Sequence, residues 1–112
     1  MDIIRKHIKS DEVNKTINTE KQARHIRGRD GYIKGRSYLI DNIDAQELVN
    51  KFHGTGKPGI AKNSTWNHKE TIATDKIIGI VIDQNTKIEI PTTRFRIHYS
   101  KTGTHIVPTL RE

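Results

Sequence analysis

The 112-residue sequence contains no cysteine, which excludes both a disulfide framework and a thiolate metal site. The fold must therefore hold without covalent cross-links, as suits a reducing compartment. Aromatic residues make up 5% and hydrophobic residues 32%, so the core must be small. No apolar run approaches the roughly 18 residues needed to span a membrane. The first twelve residues, MDIIRKHIKSDE, are charged throughout and lack the apolar middle of a secretory leader, so no signal peptide is expected. Acidic residues are scarce where basic ones gather. Between Lys21 and Arg36 stand Lys21, Arg24, Arg27, Arg29, Lys34 and Arg36, against Asp30 alone.

The length fits one globular domain. Apolar residues cluster in runs such as IIGIVI at 77–82, which argues against disorder. The net charge is +7. A basic chain with an uneven excess has a polyanion as its natural partner, nucleic acid above all.

Hydrophobic spacing predicts an amphipathic helix within 1–16, from Ile3, Ile4, Ile8 and Val13. A short helix follows, with Thr19 and Gln22 spaced as a capping box and Gly28 ending it. Glycines 28, 31 and 35 mark turns leading to a strand near 37–40. The clearest helix starts at Asp44, carries Leu48, Val49 and Phe52 on its apolar stripe, and stops at Gly54. Residues 54–70 are polar and rich in Gly and Pro, and are expected to form a long loop anchored by Trp66, the single tryptophan. The remainder reads as strands, with a bulge or sheet edge at Pro91. Helices first and antiparallel strands after give an α+β fold.

The stretch IHYSKTGTHIVPT, 97–109, reads as a β-hairpin with a histidine on either side of its turn. Alternation puts Phe95, Ile97 and Tyr99 on one face, and Arg94, Arg96, His98 and Ser100 on the other. A two-residue turn at Thr102-Gly103 pairs Ser100 with His105 and Tyr99 with Ile106, leaving His98 and His105 diagonal neighbours on the basic face. A three-residue turn pairs Ser100 with Thr104 and sends His105 to the other face. The first register is preferred, because it keeps Ile106 with the apolar set.

Two imidazoles, a hydroxyl and arginines on an open sheet face suit RNA cleavage without a metal. One imidazole takes the proton of a ribose 2′-hydroxyl and another protonates the departing 5′-oxygen. Fixed cations and hydroxyls stabilise the charge that develops on phosphorus. For His7, His53 and His68 a structural or surface role is the simpler reading. His98 and His105 could be two zinc ligands, but no third and fourth stand at ligand spacing, so no metal or other cofactor is expected.

Four segments, KQARHIRG (21–28), GRSYL (35–39), KFHGTG (51–56) and FRIHYSKTGTHIVP (95–108), together resemble the bacterial polymorphic toxin type 50 domain. The resemblance covers about residues 17 to 109. That family is assigned to the barnase–EndoU–colicin–RelE-like (BECR) group of ribonucleases. The resemblance implies N-terminal helices packed on a four-stranded, mainly antiparallel sheet with the site on its exposed face. It divides the chain into an N-terminal helical extension or linker, 1–16, and a toxin-type ribonuclease domain, 17–112. It implies a metal-independent endoribonuclease that leaves a 2′,3′-cyclic phosphate on RNA, tRNA among the targets.

It also implies an acidic cognate immunity protein and action in the cytoplasm of a target cell after delivery. A monomer with no membrane partner is expected. By matching position, His25, His98, Ser100, Thr104 and His105 are the catalytic candidates. Lys21, Arg24, Arg27, Lys34, Arg36, Arg94, Arg96 and Lys101 are the RNA-binding ones. The rival reading is a noncatalytic nucleic-acid-binding module, such as a phage head-associated accessory domain.

Overall fold

Asp44 has extended backbone and its carboxylate accepts the Gln46 N–H at 3.3 Å, so the third helix begins where its cap predicts. The computed structural model describes residues 2–111. Its helices are α1 (Asp2–Lys9), α2 (Thr19–Ala23) and α3 (Ala45–Phe52). Its strands are β1 (Tyr38–Leu39), β2 (Lys57–Ile60), β3 (Trp66–Ala73), β4 (Gly79–Ile82), β5 (Glu89–Thr92), β6 (Arg94–His98) and β7 (His105–Thr109). The protein is α+β, as its element order indicates.

The expected four-stranded antiparallel sheet is present, in the order β2-β3-β6-β7. A second, three-stranded antiparallel sheet accompanies it, in the order β1-β4-β5. The run 87–100 is divided between the two sheets at Thr93. Pro91 lies on β5, at the edge of the smaller sheet, where its missing N–H costs no ladder bond. The sheets meet where Pro108 lies over Gly79, at which a Cβ would come within 2.6 Å of the proline ring. Thr92 also donates its hydroxyl to the Thr109 carbonyl at 2.7 Å.

Residues 54–70 are not a loop. Lys57–Ile60 and Trp66–Ala73 pair as β2 and β3, with a register shift between Pro58 and Ile60. The Gly54 and Gly56 amides donate to the two oxygens of Glu70, at 3.0 and 2.8 Å, and Tyr99 adds a third bond at 2.7 Å. Glu70 is fully buried, so those three donors replace the water that its carboxylate gave up.

The core lies on one face of the larger sheet. Ile72, Phe95, Ile97 and Ile106 point into it, and Ile8 of α1 and Val49 of α3 close over them. Fully burying such a side chain stabilises by about 1.5–3 kcal/mol. Lys15 ties down the end of α1 by donating to the Ile8, Ser10 and Val13 carbonyls.

Candidate functional site

The opposite face of the larger sheet carries the site. On β6 the residues that alternate with Phe95 and Ile97 are Arg94, Arg96 and His98. On β7 those that alternate with Ile106 and Pro108 are His105, Val107 and Thr109. The β6–β7 register pairs His98 directly with His105, Ile97 with Ile106 and Phe95 with Pro108. This corrects the sequence-based register by two residues. A shift of two preserves the alternation, so the two imidazoles still share a face, now as a direct pair. Their ring centroids are 4.8 Å apart.

The turn is longer than two residues because its backbone is engaged elsewhere. The Tyr99 N–H donates to His68, the Thr104 N–H to Thr16, and the Thr104 carbonyl accepts from Asn18. On β3, Lys69 stands opposite His98. Lys69, His98 and His105 therefore form one row across three strands. Lys69 is not among the residues that the sequence singles out, because the Gly- and Pro-rich composition of 54–70 predicts a loop there. Its period-2 alternation with Glu70 and Ile72 was the available signal.

α2 brings the third histidine. Ile106 turns its peptide groups away from β6, and Gln22, 2% exposed, pairs with both. The Gln22 amide donates to the Ile106 carbonyl at 2.9 Å and accepts the Ile106 N–H at 2.6 Å. One helical turn on, His25 stacks on His105 with 5.9 Å between centroids and 16° between planes. His25 Nδ1 lies 2.9 Å from the Ser37 carbonyl, which can only accept. The neutral ring thus carries its proton on Nδ1 and keeps a lone pair on Nε2. His105 Nδ1 is buried with no hydrogen-bond partner. Such an orphaned atom is uncommon and marks a place where a donor or acceptor is missing.

All three imidazoles are less basic than usual. His98 is pushed down to about 4, by burial first, then by Lys69, Arg96 and His25. His105 is pushed down to about 3, by burial first, then by His98, His25, Lys21 and Arg24. His25 is lowered by burial, against the Ser37 bond that favours its charged form, with Arg36 and Arg24 adding to the lowering. The cations around the row are thus Lys21, Arg24, Arg36, Lys69 and Arg96.

The other candidates lie as follows. Ser100 is in the hairpin loop, its hydroxyl accepting from Lys21 at 3.3 Å and 3.1 Å from that of Thr102. Thr104, expected to donate to phosphate, is fully buried and donates instead to the His98 carbonyl at 2.6 Å. Arg94 shares the open face, one row beyond Arg96. Arg27 is held away by Tyr38 and Glu89, each 2.9 Å from its guanidinium. Lys34 is exposed in the turns before β1, and Lys101 is exposed in the hairpin loop. Among the described residues, no three His, Asp or Glu side chains are grouped to hold a metal ion.

No helix among the described residues is long and apolar enough to cross a membrane. No curated protein matches the sequence significantly. The sequence profile of the family described as bacterial toxin 50 matches residues 17–108, a span that contains His25, Lys69, His98 and His105. With that match covering most of its length, the chain belongs to the bacterial toxin 50 family.

Proposed function

We propose that this toxin domain is a metal-independent endoribonuclease with a BECR-like fold. The observation that carries the reading is the row Lys69, His98, His105, backed by His25 and ringed by cations. An RNA phosphate laid on this face meets two half-buried imidazoles. One accepts the 2′-hydroxyl proton as O2′ bonds to phosphorus. The other donates a proton to O5′ as the P–O5′ bond breaks, leaving a 2′,3′-cyclic phosphate and a 5′-hydroxyl. Lys69 and Arg96, with Lys21 and Arg24, stabilise the added negative charge at phosphorus. The nucleophile belongs to the substrate, so DNA is not cut.

His25, 4% exposed, is a positioning residue that stacks behind His105. Ser100 shares the Lys21 ammonium and orients it. Residues 17–112 make up the ribonuclease domain, and residues 1–16 are an N-terminal extension packed on it. A toxin acting on cytoplasmic RNA requires a neutralising partner, and a face this basic calls for an acidic one.

The test is incubation of the pure protein with total RNA in EDTA, beside His98→Ala and His105→Ala. The wild type is expected to fragment the RNA and both variants to leave it intact. Intact RNA with the wild type overturns the assignment, and retarded but uncut RNA identifies a noncatalytic binder.

A further inference from the structure

Behind the hairpin loop lies a groove of about 770 Å³ that proton transfer does not use. Its floor is the Trp66 indole, fixed by a 2.9 Å hydrogen bond from Nε1 to the Lys69 carbonyl. Buried Tyr99 supports the indole, 5.5 Å between ring centroids. Two exposed rings flank it, His68 at 4.9 Å and His7 at 5.9 Å. His68 holds this place with a φ of +66°, a conformation that residues with a Cβ adopt at a cost. Three rings thus gather round a half-buried indole whose inner side packs against the core.

The groove lies on the Trp66 and Tyr99 side of the sheet and meets the histidine face at the hairpin loop. Tyr99 directly follows His98. Ser100 lines the groove, yet its hydroxyl accepts from Lys21, one of the cations acting on His105. Lys101 stands at the rim and offers a charge to a flanking phosphate. The rim also carries two carboxylates, Asp11 and Glu12, the latter 3.4 Å from His7 Nδ1. Carboxylates only accept hydrogen bonds, so they suit a base edge that presents N–H groups.

Resting on the ribonuclease reading, we propose that this groove is a nucleobase subsite. It takes an unstacked, amino-bearing purine from RNA that passes round the hairpin loop from the histidine face, stacked on Trp66 and read at its edge by Asp11. The enzyme then selects single-stranded or looped RNA, because a base inside a duplex cannot leave its stack without cost.

Trp66 is the only tryptophan, so its fluorescence reports on this groove alone. Two uncleavable probes suffice: a deoxyuridine hexamer, and the same hexamer with one central deoxyguanosine, both at fixed ionic strength. The guanine-containing probe is expected to quench Trp66 and to bind about tenfold tighter than the uridine one, the scale of one hydrogen bond to a charged group. Asp11→Asn, an exposed change that leaves the core alone, is expected to abolish that preference while the guanine probe still quenches. Absence of quenching, or equal affinity for the two probes, overturns the proposal. RNA cleavage without quenching removes the subsite and leaves the nuclease. Quenching without cleavage removes the nuclease and leaves the subsite.

Discussion

Gln22 and Ile106 exchange two hydrogen bonds, side chain to backbone, across the outer edge of the larger sheet. Without Gln22, the Ile106 N–H and carbonyl would be buried and unpaired. The same contact fixes α2, and with it the turn just beyond that carries His25, so it sets the distance from that ring to His105. Gln22→Met keeps the volume and removes both bonds. The expected loss is about 2–4 kcal/mol of stability, seen as a melting temperature lower by about 10 °C. At a temperature where the variant remains folded, RNA cleavage is expected to fall by about tenfold or more, because small misplacements are costly in catalysis. Full activity in the folded variant would show that His25 needs no such placement.

Lys69 faces His98 across β3 and β6, and its charge helps keep that imidazole neutral. Lys69→Ala is expected to lower kcat about 10²- to 10³-fold, as removal of one stabilising donor does elsewhere. It is also expected to raise the His98 pKa, measured from NMR shifts of the imidazole protons. Lys69→Arg keeps the charge and should restore most of the rate. An unchanged kcat in Lys69→Ala, with His98 titrating higher, would confine Lys69 to tuning its neighbour.

The depressed histidines determine two pH dependences. For stability, the folded imidazoles titrate near 4 and 3 while the unfolded ones titrate near 6.5. Between those values the unfolded state binds more protons, so the contribution is fully present above about pH 6.5 and is lost as pH falls toward 3. The loss is on the order of a few kcal/mol and is read by urea unfolding at pH 7, 5.5 and 4.5. For catalysis, the general acid must be protonated, and in the free enzyme that requires acid. kcat/KM is therefore expected to fall as pH rises from 5 to 8. kcat should peak at higher pH, because bound phosphate raises the pKa of the acid. Coincident optima above pH 7 would contradict this.

Glu70 links the turn after α3 to the first residue of the hairpin loop, through Gly54, Gly56 and Tyr99. Burial, together with the bond to Glu70, pushes the Tyr99 phenol well above its usual range and keeps it a donor. Glu70→Gln turns an amide N–H₂ toward the Gly54 or the Gly56 N–H, neither of which can accept. A cost of about 2–4 kcal/mol is expected in chemical denaturation. A change under 0.5 kcal/mol would mean that the turn re-pairs elsewhere.

Much of this arrangement is legible in the sequence, for local reasons. Asp44 and the spacing of Leu48, Val49 and Phe52 declare α3. The alternation of Phe95, Ile97, His98 and Ile106 puts His98 and His105 on one face whichever even register the hairpin takes. Non-local contacts decide the rest. The hairpin loop extends to Thr104 because residues 16–18 claim its backbone. β2 was hidden by Pro58 and Gly59, residues that signal turns in isolation but here lie on a sheet edge. β3 was hidden with it, and Lys69 was missed for that reason. The second sheet was missed because one apolar run looks the same in either sheet. The stack of His25 on His105 depends on Gln22 reaching a strand 84 residues away.

The central claim is that the histidine row cuts RNA by using the substrate's own 2′-hydroxyl. The most direct measurement is mass spectrometry of the 5′ fragment from a short RNA, beside the same RNA with one 2′-deoxy sugar at the cleaved position. A 2′,3′-cyclic phosphate on the first fragment, and no cut at the deoxy position, are predicted. A cut at the deoxy position, or a 5′-phosphate on the downstream piece, would contradict it.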